Sequence, residues 1–447
     1  MRSKIVELEA FALDDEGRGI VRDEGLTVFV DNLLPNEKGK IKLDFAYGKL
    51  KEARLLQRLT SSKDRVKPLC PYYSKCGGCN LMHLNYEAQL EYKRMKVQNL
   101  LHKFAKIDFE VSKTIGMENP YHFRNKIQVP VKNIKGKIET GFYEINTHNL
   151  VPNSNCLIED NRARHIIEEF KKTCEEFKLE AYNEDTRRGV FRHIIIKTSR
   201  YYQQIMVVFV TAIDEIKGKQ NFLKAFLKRC PEVTTVVQNI NKRKTNVILG
   251  EKERILFGSG KIKDRIFDLD FYISSKSFYQ TNPIQVEKLY KTAIDLAALK
   301  GDETVLDAYS GTGTIGLCAS RHAKNVTLVE VVEAACKNGI ENSAINNIEN
   351  AEFVIDDCTK YLVKHKDNQK FDVVFMDPPR KGSTNEFLTA LIENSPKKIV
   401  YISCNPVTLA RDLSILKDKY EIEEVIPVDM FPHTSHVETV VGLYLKK

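Results

Sequence analysis

From about residue 275 the chain alternates short apolar segments with segments of helical spacing, and this alternation constrains the fold more than any other feature. Strands that alternate with helices form a parallel sheet covered by helices. The pattern therefore predicts a doubly wound α/β domain over residues 275–447. The apolar segments are ETVLDAYSG, NVTLVEV, AEFVIDD, FDVVFMDPP, KIVYISCNP and the closing VETVVGLYL.

Two further units are predicted before this domain. The first sixty or so residues contain short strand-like segments separated by Asp, Gly, Asn and Pro, which predicts a small β-barrel over residues 1–60. A polar linker leads to a strand-rich α+β unit over residues 68–270, with basic patches at 187–193 and 241–244. A basic patch is a solvated surface more often than a nucleic-acid site, so both interpretations stay open here.

The composition is that of a globular chain without a membrane span. Charged residues make up 29% and hydrophobic residues 42% of the 447 residues. No apolar run reaches the roughly eighteen residues that a membrane helix needs, and the first residues lack the apolar core of a secretory signal. We expect a cytoplasmic protein, whose ten cysteines are thiols or ligands rather than disulfides. The net charge of +9 fits contact with phosphate backbones but identifies no partner alone.

The segment VLDAYSGTGTIGL predicts a cofactor loop. It places Gly311 and Gly313 between an apolar strand and a helix, where the backbone can approach a ligand closely. Glu330 ends the next strand, near the spacing of about 20 residues at which an acid binds ribose hydroxyls. Because the loop reads G-T-G-T rather than G-x-G-x-x-G, it favours S-adenosylmethionine over a dinucleotide.

Three further segments carry candidate chemistry, at 375–382, 401–413 and 432–440. The carboxyl ends of parallel strands share one edge, so Asp377 and Cys404 should converge on a site that Glu438 reaches from the loop before the last strand. Methylation of uracil C5 needs a thiolate that attacks C6 and a base that removes the C5 proton. Cys404 is the candidate nucleophile and Glu438 the candidate base. The alternative for Cys404 is a buried structural thiol.

A cysteine cluster lies at the start of the predicted central unit. Cys70, Cys76 and Cys79 form a C-x5-C-x2-C pattern, and Cys156, on a loop-like stretch, is the candidate fourth ligand. Zinc and iron-sulfur clusters both accept four thiolates, so the residues themselves leave the metal open.

The C-N-P motif at Cys404, the D-P-P-R-K-G motif at Asp377 and the H-V-E-T segment with Glu438 together resemble the RNA uracil-C5 methyltransferase family. The resemblance implies a class I, Rossmann-like methyltransferase domain that uses S-adenosylmethionine. It implies that Gln280, in SFYQTNP, contacts the methionine part of the cofactor. It also implies that Asp357 lies near the adenine, with a helix N-cap as the alternative. The expected cofactor-binding residues are Gln280, Tyr309, Gly311, Gly313, Glu330, Asp357 and Asp377.

The N-terminal segments extend the resemblance. Gly17, Gly19 and VFVDNLLPNE resemble a TRAM domain, an OB-like barrel that binds RNA. The cysteine pattern resembles the ribosomal-RNA branch of the family, which implies a [4Fe-4S] cluster on Cys70, Cys76, Cys79 and Cys156 with a structural or RNA-binding role.

The leading prediction is a monomeric enzyme that methylates uridine C5 in 23S ribosomal RNA, before assembly or during it. Methylation of transfer RNA is the first alternative. Cytosine-C5 methylation usually places a second cysteine in the segment where this chain has Asp377-Pro378-Pro379-Arg380, and amino-group methylation prefers an aromatic residue where it has Arg380. The alternative from another class is a redox-sensing RNA-binding protein with an inactive methyltransferase fold.

Overall fold

The computed structural model describes residues 2–46, 49–145, 147–153, 155–365 and 368–447. Its N-terminal unit consists of two three-stranded antiparallel sheets, β1-β5-β6 and β2-β3-β4, which share one core that includes Val21, Val28 and Ile41. Assignment of this unit as a TRAM barrel stays a prediction. The strands are β1 (Arg2–Glu9), β2 (Ala12–Leu13), β3 (Gly19–Asp23), β4 (Leu26–Val30), β5 (Lys38–Ala46) and β6 (Lys49–Arg58).

Helix α1 (Tyr86–Leu100) and the π-helical turn Leu101–Ala105 follow the cysteine segment. The Asn85 side chain caps the helix by accepting a hydrogen bond from the Ala88 N–H at 2.8 Å. Val97 and Leu101 pack into the same hydrophobic core as residues of the C-terminal domain. The helix therefore lies on that domain, although its sequence falls within the predicted central unit.

The central unit is built on a mixed seven-stranded sheet with the order β13-β12-β11-β10-β7-β8-β9. Successive side chains of a strand point to opposite faces. In β10, Ile194 and Ile196 pack under α2 and α3, whereas Ile195 packs into the core of the C-terminal domain. The elements are β7 (Lys126–Ile134), β8 (Lys137–Tyr143), β9 (Leu150–Pro152), α2 (Asn161–Glu176), β10 (Phe191–Thr198), β11 (Ile205–Thr211), α3 (Lys219–Arg229), β12 (Thr235–Ile240) and β13 (Lys252–Phe257).

The C-terminal domain has the predicted doubly wound α/β architecture. Its seven-stranded sheet has the order β18-β17-β16-β19-β20-β22-β21, and only β22 runs antiparallel to both of its neighbours. The hairpin β14-β15 and helix α4 connect it to the central unit. In the described residues no helix has the length and apolar character needed to cross a membrane.

The bounds of this domain's elements are β14 (Lys261–Ile266), β15 (Leu269–Ser274), α4 (Pro283–Ala297), β16 (Thr304–Ala308), α5 (Thr314–Ser320), β17 (Asn325–Glu330), α6 (Glu333–Ile345), β18 (Ala351–Ile355), α7 (Cys358–His365), β19 (Val373–Met376), α8 (Asn385–Asn394), β20 (Lys398–Ser403), α9 (Pro406–Leu416), β21 (Tyr420–Val428) and β22 (Glu438–Leu445).

Candidate active site

A cavity of about 900 Å³ opens at the carboxyl ends of β16, β17, β19 and β20. Its wall contains almost all of the residues that the sequence predicts for the site. Gly313 is the exception, because it lies at the start of α5 behind the wall, where an added Cβ would be 2.7 Å from the Phe353 ring. The predicted residues on the wall are Gln280, Tyr309, Gly311, Glu330, Asp357, Asp377, Cys404 and Glu438.

The glycine loop holds the Glu330 carboxylate in place. One oxygen accepts a hydrogen bond from the Gly311 N–H at 3.0 Å, and the other accepts one from the Val332 N–H at 2.8 Å. Gly311 has a φ of 58°, in the left-handed region where glycine is the least strained residue. The carboxylate is therefore fixed at the cavity wall before any ligand arrives.

Asp357 both lines the cavity and caps a helix. Its Oδ1 accepts hydrogen bonds from the N–H groups of Thr359 at 3.0 Å and Lys360 at 3.1 Å, at the start of α7. The N-cap alternative from the sequence is therefore present in the structure. The side chain is exposed, and it also faces the cavity.

Cys404 lies between β20 and α9 and is half-buried, with its side chain on the cavity wall. Asn405 caps α9 by accepting from the Val407 N–H at 3.1 Å, and its Nδ2 donates to the Arg380 carbonyl at 2.9 Å. The cap thus ties the Cys404 segment to the loop that follows β19. Cys404 is not enclosed in the core as a purely structural thiol would be.

Three acidic groups share the cavity. Burial and then the Glu438 and Asp377 carboxylates raise the pKa of Cys404 to about 11, against an opposing effect of Arg380. Burial and then Asp377 raise the pKa of Glu438 to about 8, against an opposing effect of Arg380. Burial alone raises the pKa of Asp377 to about 7. Asp377 therefore lies close enough to affect the ionisation of Glu438, and both carboxylates affect that of Cys404.

The loop that contains Gln280 is held by the central unit. The buried Lys197 ammonium donates to the carbonyls of Ser274 at 2.8 Å and Ser277 at 2.9 Å, and burial lowers its pKa to about 7. Asn125 donates through Nδ2 to the Gln280 carbonyl at 3.1 Å. The sequence gives no sign of these contacts, because they join residues far apart in the chain.

Phe278, in the same loop, was not among the predicted site residues. Its ring is 69% exposed, yet it belongs to the cavity wall. Phe123, Arg124 and Ile158 of the central unit also line the cavity. An exposed aromatic ring beside a pocket can stack on a nucleobase. The SFYQTNP motif contains Phe278, but only the structure shows its exposure.

Helix α1 holds the loop that leads to Glu438 through a polar face. Tyr86, Gln89, Lys93 and Lys96 are spaced three or four residues apart, so they lie on one side of the helix. Each of them hydrogen-bonds to residues 429–435. We call residues 429–437 the β21-β22 loop.

One of these contacts is an ion pair between Lys93 and Asp429, whose side chains are both fully buried. Tyr86 donates to the same carboxylate at 2.8 Å, and Lys93 also donates to the Phe431 carbonyl at 3.1 Å. Gln89 accepts from the His433 N–H at 2.9 Å. The β21-β22 loop is therefore fixed along its length by one helix.

The four predicted cluster cysteines converge. Burial and then the nearby Cys76 and Cys70 thiols raise the pKa of Cys79 to about 12. Cys156 is close enough to Cys79 for that thiol to raise its pKa, after the larger effects of burial and Glu159. Cys79 and Cys156 pack against the same small hydrophobic cluster, and Gly78 reaches the wall of the active-site cavity.

The two basic patches also meet. The Arg192 guanidinium donates to the carbonyls of Asn241 at 3.0 Å and Arg243 at 2.6 Å, which joins the 187–193 and 241–244 segments. Arg187, Arg188 and the side chains at 242–244 are exposed. The two segments thus form one surface that carries Arg187, Arg188 and Lys244, while Lys242 and Arg243 pair with Asp214 and Glu251.

Residues 85–447 match the family model described as tRNA (Uracil-5-)-methyltransferase. The chain belongs to this family. An uncharacterized RNA methyltransferase of Listeria monocytogenes is 41% identical over 449 aligned positions, which cover 99% of this chain and 98% of that protein. A second one, from Clostridium acetobutylicum, is 43% identical over 435 positions, covering 95% and 94%.

A solved structure extends the comparison. The tRNA (uracil-54, C5)-methyltransferase of Pyrococcus abyssi, in complex with S-adenosyl-L-homocysteine, matches with a TM-score of 0.79 and 28% identity. The match covers 98% of this chain and all of that one. Family membership and this match confirm the predicted RNA methyltransferase class and the class I methyltransferase fold.

Proposed function

We propose that this protein transfers a methyl group from S-adenosylmethionine to uridine C5 in RNA, with Cys404 as nucleophile and Glu438 as base. The observation that carries this proposal is the single cavity that contains Cys404, Glu438 and Asp377 together with the glycine loop and Glu330. The nucleophile, the base and the cofactor-binding residues can then act on C5 and C6 of one uracil without a rearrangement of the fold.

S-adenosylmethionine, when bound, supplies an electrophilic methyl group. The residues present suit it. Glu330 is held by two backbone N–H groups and offers its carboxylate to ribose hydroxyls. Gln280 and Tyr309 are the candidates for contact with the methionine part, and Asp357 is the candidate for the adenine edge. The P. abyssi relative, whose structure holds S-adenosyl-L-homocysteine, supports this assignment.

Cys404, as its thiolate, starts the reaction by forming a bond from Sγ to uracil C6. The electron pair of the C5–C6 double bond moves towards C5 and the adjoining carbonyl, so that C5 becomes nucleophilic. C5 then bonds to the methyl carbon, whose bond to the sulfonium sulfur breaks and leaves its electron pair on that sulfur. Glu438 then accepts the C5 proton. The electrons of that C–H bond restore the double bond, and the thiolate of Cys404 leaves. The raised pKa of Glu438, about 8, makes it a better proton acceptor than an ordinary carboxylate.

A uridine within a folded RNA must leave its stack to enter the cavity. The exposed ring of Phe278 is the candidate stacking partner for the displaced base. The basic surface at 187–193 and 241–244 is a candidate contact for the RNA backbone, since Lys and Arg side chains neutralise phosphates.

We assign a [4Fe-4S] cluster to Cys70, Cys76, Cys79 and Cys156. Cys70 and Cys76 act on the pKa of Cys79, and Cys79 acts on that of Cys156, so the four thiols lie near one another. Zinc and iron-sulfur clusters both accept four thiolates, and the resemblance of the C-x5-C-x2-C pattern to the ribosomal-RNA branch favours the cluster. Its proposed role is structural or in RNA binding, because the methyl transfer needs no electron.

For the substrate we propose 23S ribosomal RNA, on the resemblance of the cysteine segment to the ribosomal-RNA branch. Transfer RNA is the second candidate, and the observation that favours it is the match to a tRNA enzyme over 98% of this chain.

The test is to map 5-methyluridine in 23S ribosomal RNA and in transfer RNA from cells that lack the gene. Cells complemented with the wild type are compared with cells complemented with Cys404→Ala. We expect at least one 23S position to lose the modification and to regain it only with the wild type. A change confined to transfer RNA selects the second candidate. No change in either RNA contradicts the proposed function.

A further inference from the structure

The N-terminal unit touches the β21-β22 loop through the Asn80 side chain. Its Nδ2 donates to the Glu16 carbonyl at 2.5 Å and to the Ser435 Oγ at 3.1 Å. Its Oδ1 accepts from the Ser435 N–H at 2.9 Å. The Asn80 N–H also donates to the His433 carbonyl at 3.1 Å. One amide therefore joins a turn of the N-terminal unit to the loop before Glu438.

Lys96, on the polar face of α1, makes a second bridge between the same two segments. Its Nζ donates to the Asp15 carbonyl at 2.7 Å and to the Ser435 carbonyl at 3.0 Å. Both bridges thus end on Ser435 and on consecutive residues of one turn, Asp15 and Glu16. Because two side chains make the same connection, we interpret it as a specific contact between the N-terminal unit and the β21-β22 loop.

The turn at residues 14–17 also contacts α1 and the cysteine segment. Tyr92 of α1 donates to the Asp14 carbonyl at 2.7 Å. Gly17 has a φ of 82°, and an added Cβ there would lie 2.7 Å from a methyl carbon of Leu81. The positive φ disfavours any residue with a side chain at position 17, so glycine lets residues 14–17 approach the cysteine segment without strain.

We propose that Asn80 and Lys96 are positioning residues that place Glu438 by way of Ser435. The N-terminal unit then contributes to removal of the C5 proton as well as to RNA binding. Ser435 is buried three residues before Glu438, and its neighbours Thr434 and His436 both line the cavity. A shift of Ser435 therefore moves the wall that presents the base. Displacement of a catalytic group by about 1 Å can slow a reaction about 100-fold.

This inference rests on the proposed function, so the wild type is assayed first. Full-length protein is incubated with methyl-labelled S-adenosylmethionine and a transcript that contains the modified uridine. The substitutions are Asn80→Ala and Lys96→Met, with Lys96→Arg as the conservative variant. Asn99→Ala is the matched control, because Asn99 is an exposed asparagine near the end of α1. The readouts are kcat, KM for RNA and the fraction of covalent protein–RNA adduct on a denaturing gel.

We expect Asn80→Ala and Lys96→Met to lower kcat about tenfold or more while KM changes less than about twofold, because the base is displaced and the binding surface is not. The adduct fraction should rise, since addition and methyl transfer still occur but proton removal is slow. Asn99→Ala should match the wild type. Lys96→Arg should recover most of kcat.

Asn80 follows Cys79, so Asn80→Ala could also alter the metal content. In that case the kcat of Lys96→Met is the deciding measurement, because Lys96 lies outside the cysteine segment. Wild-type kcat in Lys96→Met would overturn the inference. So would a lower kcat without more adduct, or an effect confined to KM, because a role only in folding or RNA binding gives those patterns. A wild type that labels no uridine would instead contradict the proposed function.

Discussion

Arg380 lies near both groups that the proposed reaction uses. Its guanidinium lowers the pKa of Cys404 and of Glu438, while burial and the neighbouring carboxylates raise them. A fixed positive charge has a larger effect in a partly buried site than in water, because the effective dielectric constant is lower. Arg380 therefore makes it easier to form a thiolate and a carboxylate in the same cavity.

The pH dependence of the reaction follows from these shifts. Glu438 must be ionised to accept the C5 proton, and its pKa of about 8 lies above the ordinary value. Cys404 must also lose its proton, with a pKa of about 11. Both groups must lose a proton, so kcat/KM should rise as the pH approaches about 8, where Glu438 ionises, and continue to rise towards about pH 11, where Cys404 ionises.

Arg380→Met tests the origin of this profile. Removal of the cation should move the rise in kcat/KM to higher pH, because the pKa values of Cys404 and Glu438 both lose the group that lowers them. A pH–rate profile of the two proteins measures the shift. An unchanged or more acidic profile would show that Arg380 does not act on these groups.

Most of the residues on the cavity wall could be predicted from the sequence for a physical reason. Glu330, Asp377 and Cys404 each lie at or directly after the end of an apolar strand, and parallel strands bring such ends to one edge. Phe278 and Arg380 were not assigned roles, since exposure at a cavity and charge effects on distant residues depend on tertiary placement.

At the scale of elements, helix α1 shows what periodicity alone does not reveal. Its charged and apolar residues predict a helix, and a helix is present. The part of its buried face that contacts the β21-β22 loop is polar, however, because it carries Gln89 and Lys93, whereas Val97 packs into a hydrophobic core. A charged residue within a helical pattern normally lies on the solvent-exposed face. Lys93 is buried instead because its ammonium pairs with the buried carboxylate of Asp429.

The cysteine segment gives an element-scale prediction. Protein purified without oxygen should be brown, with a broad absorbance near about 400 nm from thiolate-to-iron charge transfer. Cys156→Ser should remove the colour and lower solubility or RNA affinity, because the cluster links the segment at 70–79 to a distant loop. Cys174→Ser is the matched control, since Cys174 is buried in α2 and packs in the core of the central unit. A colourless wild type that contains zinc, or a Cys156→Ser protein with its cluster intact, would contradict the assignment.

At the scale of the whole molecule, the predicted central and C-terminal units share a core. Ile195 and Val208 of the central sheet pack in the same cluster as Leu289 and Val305 of the C-terminal domain. The sequence predicts the change from one unit to the next near residue 270, because the strand pattern changes there. It does not predict the shared core, since a strand buried on both faces reads as a continuous apolar run whatever covers it.

The central claim is that Cys404 attacks the uracil and Glu438 completes the reaction, and trapping of the covalent adduct tests it most directly. Glu438→Gln removes the base but leaves the nucleophile, so addition and methyl transfer proceed and elimination stalls. Incubation with methyl-labelled S-adenosylmethionine and RNA should give a denaturation-resistant protein–RNA adduct that carries the label. Cys404→Ala, alone or combined with Glu438→Gln, should give neither adduct nor product. Turnover by Glu438→Gln at the wild-type rate without adduct, or appreciable methylation by Cys404→Ala, would contradict the account.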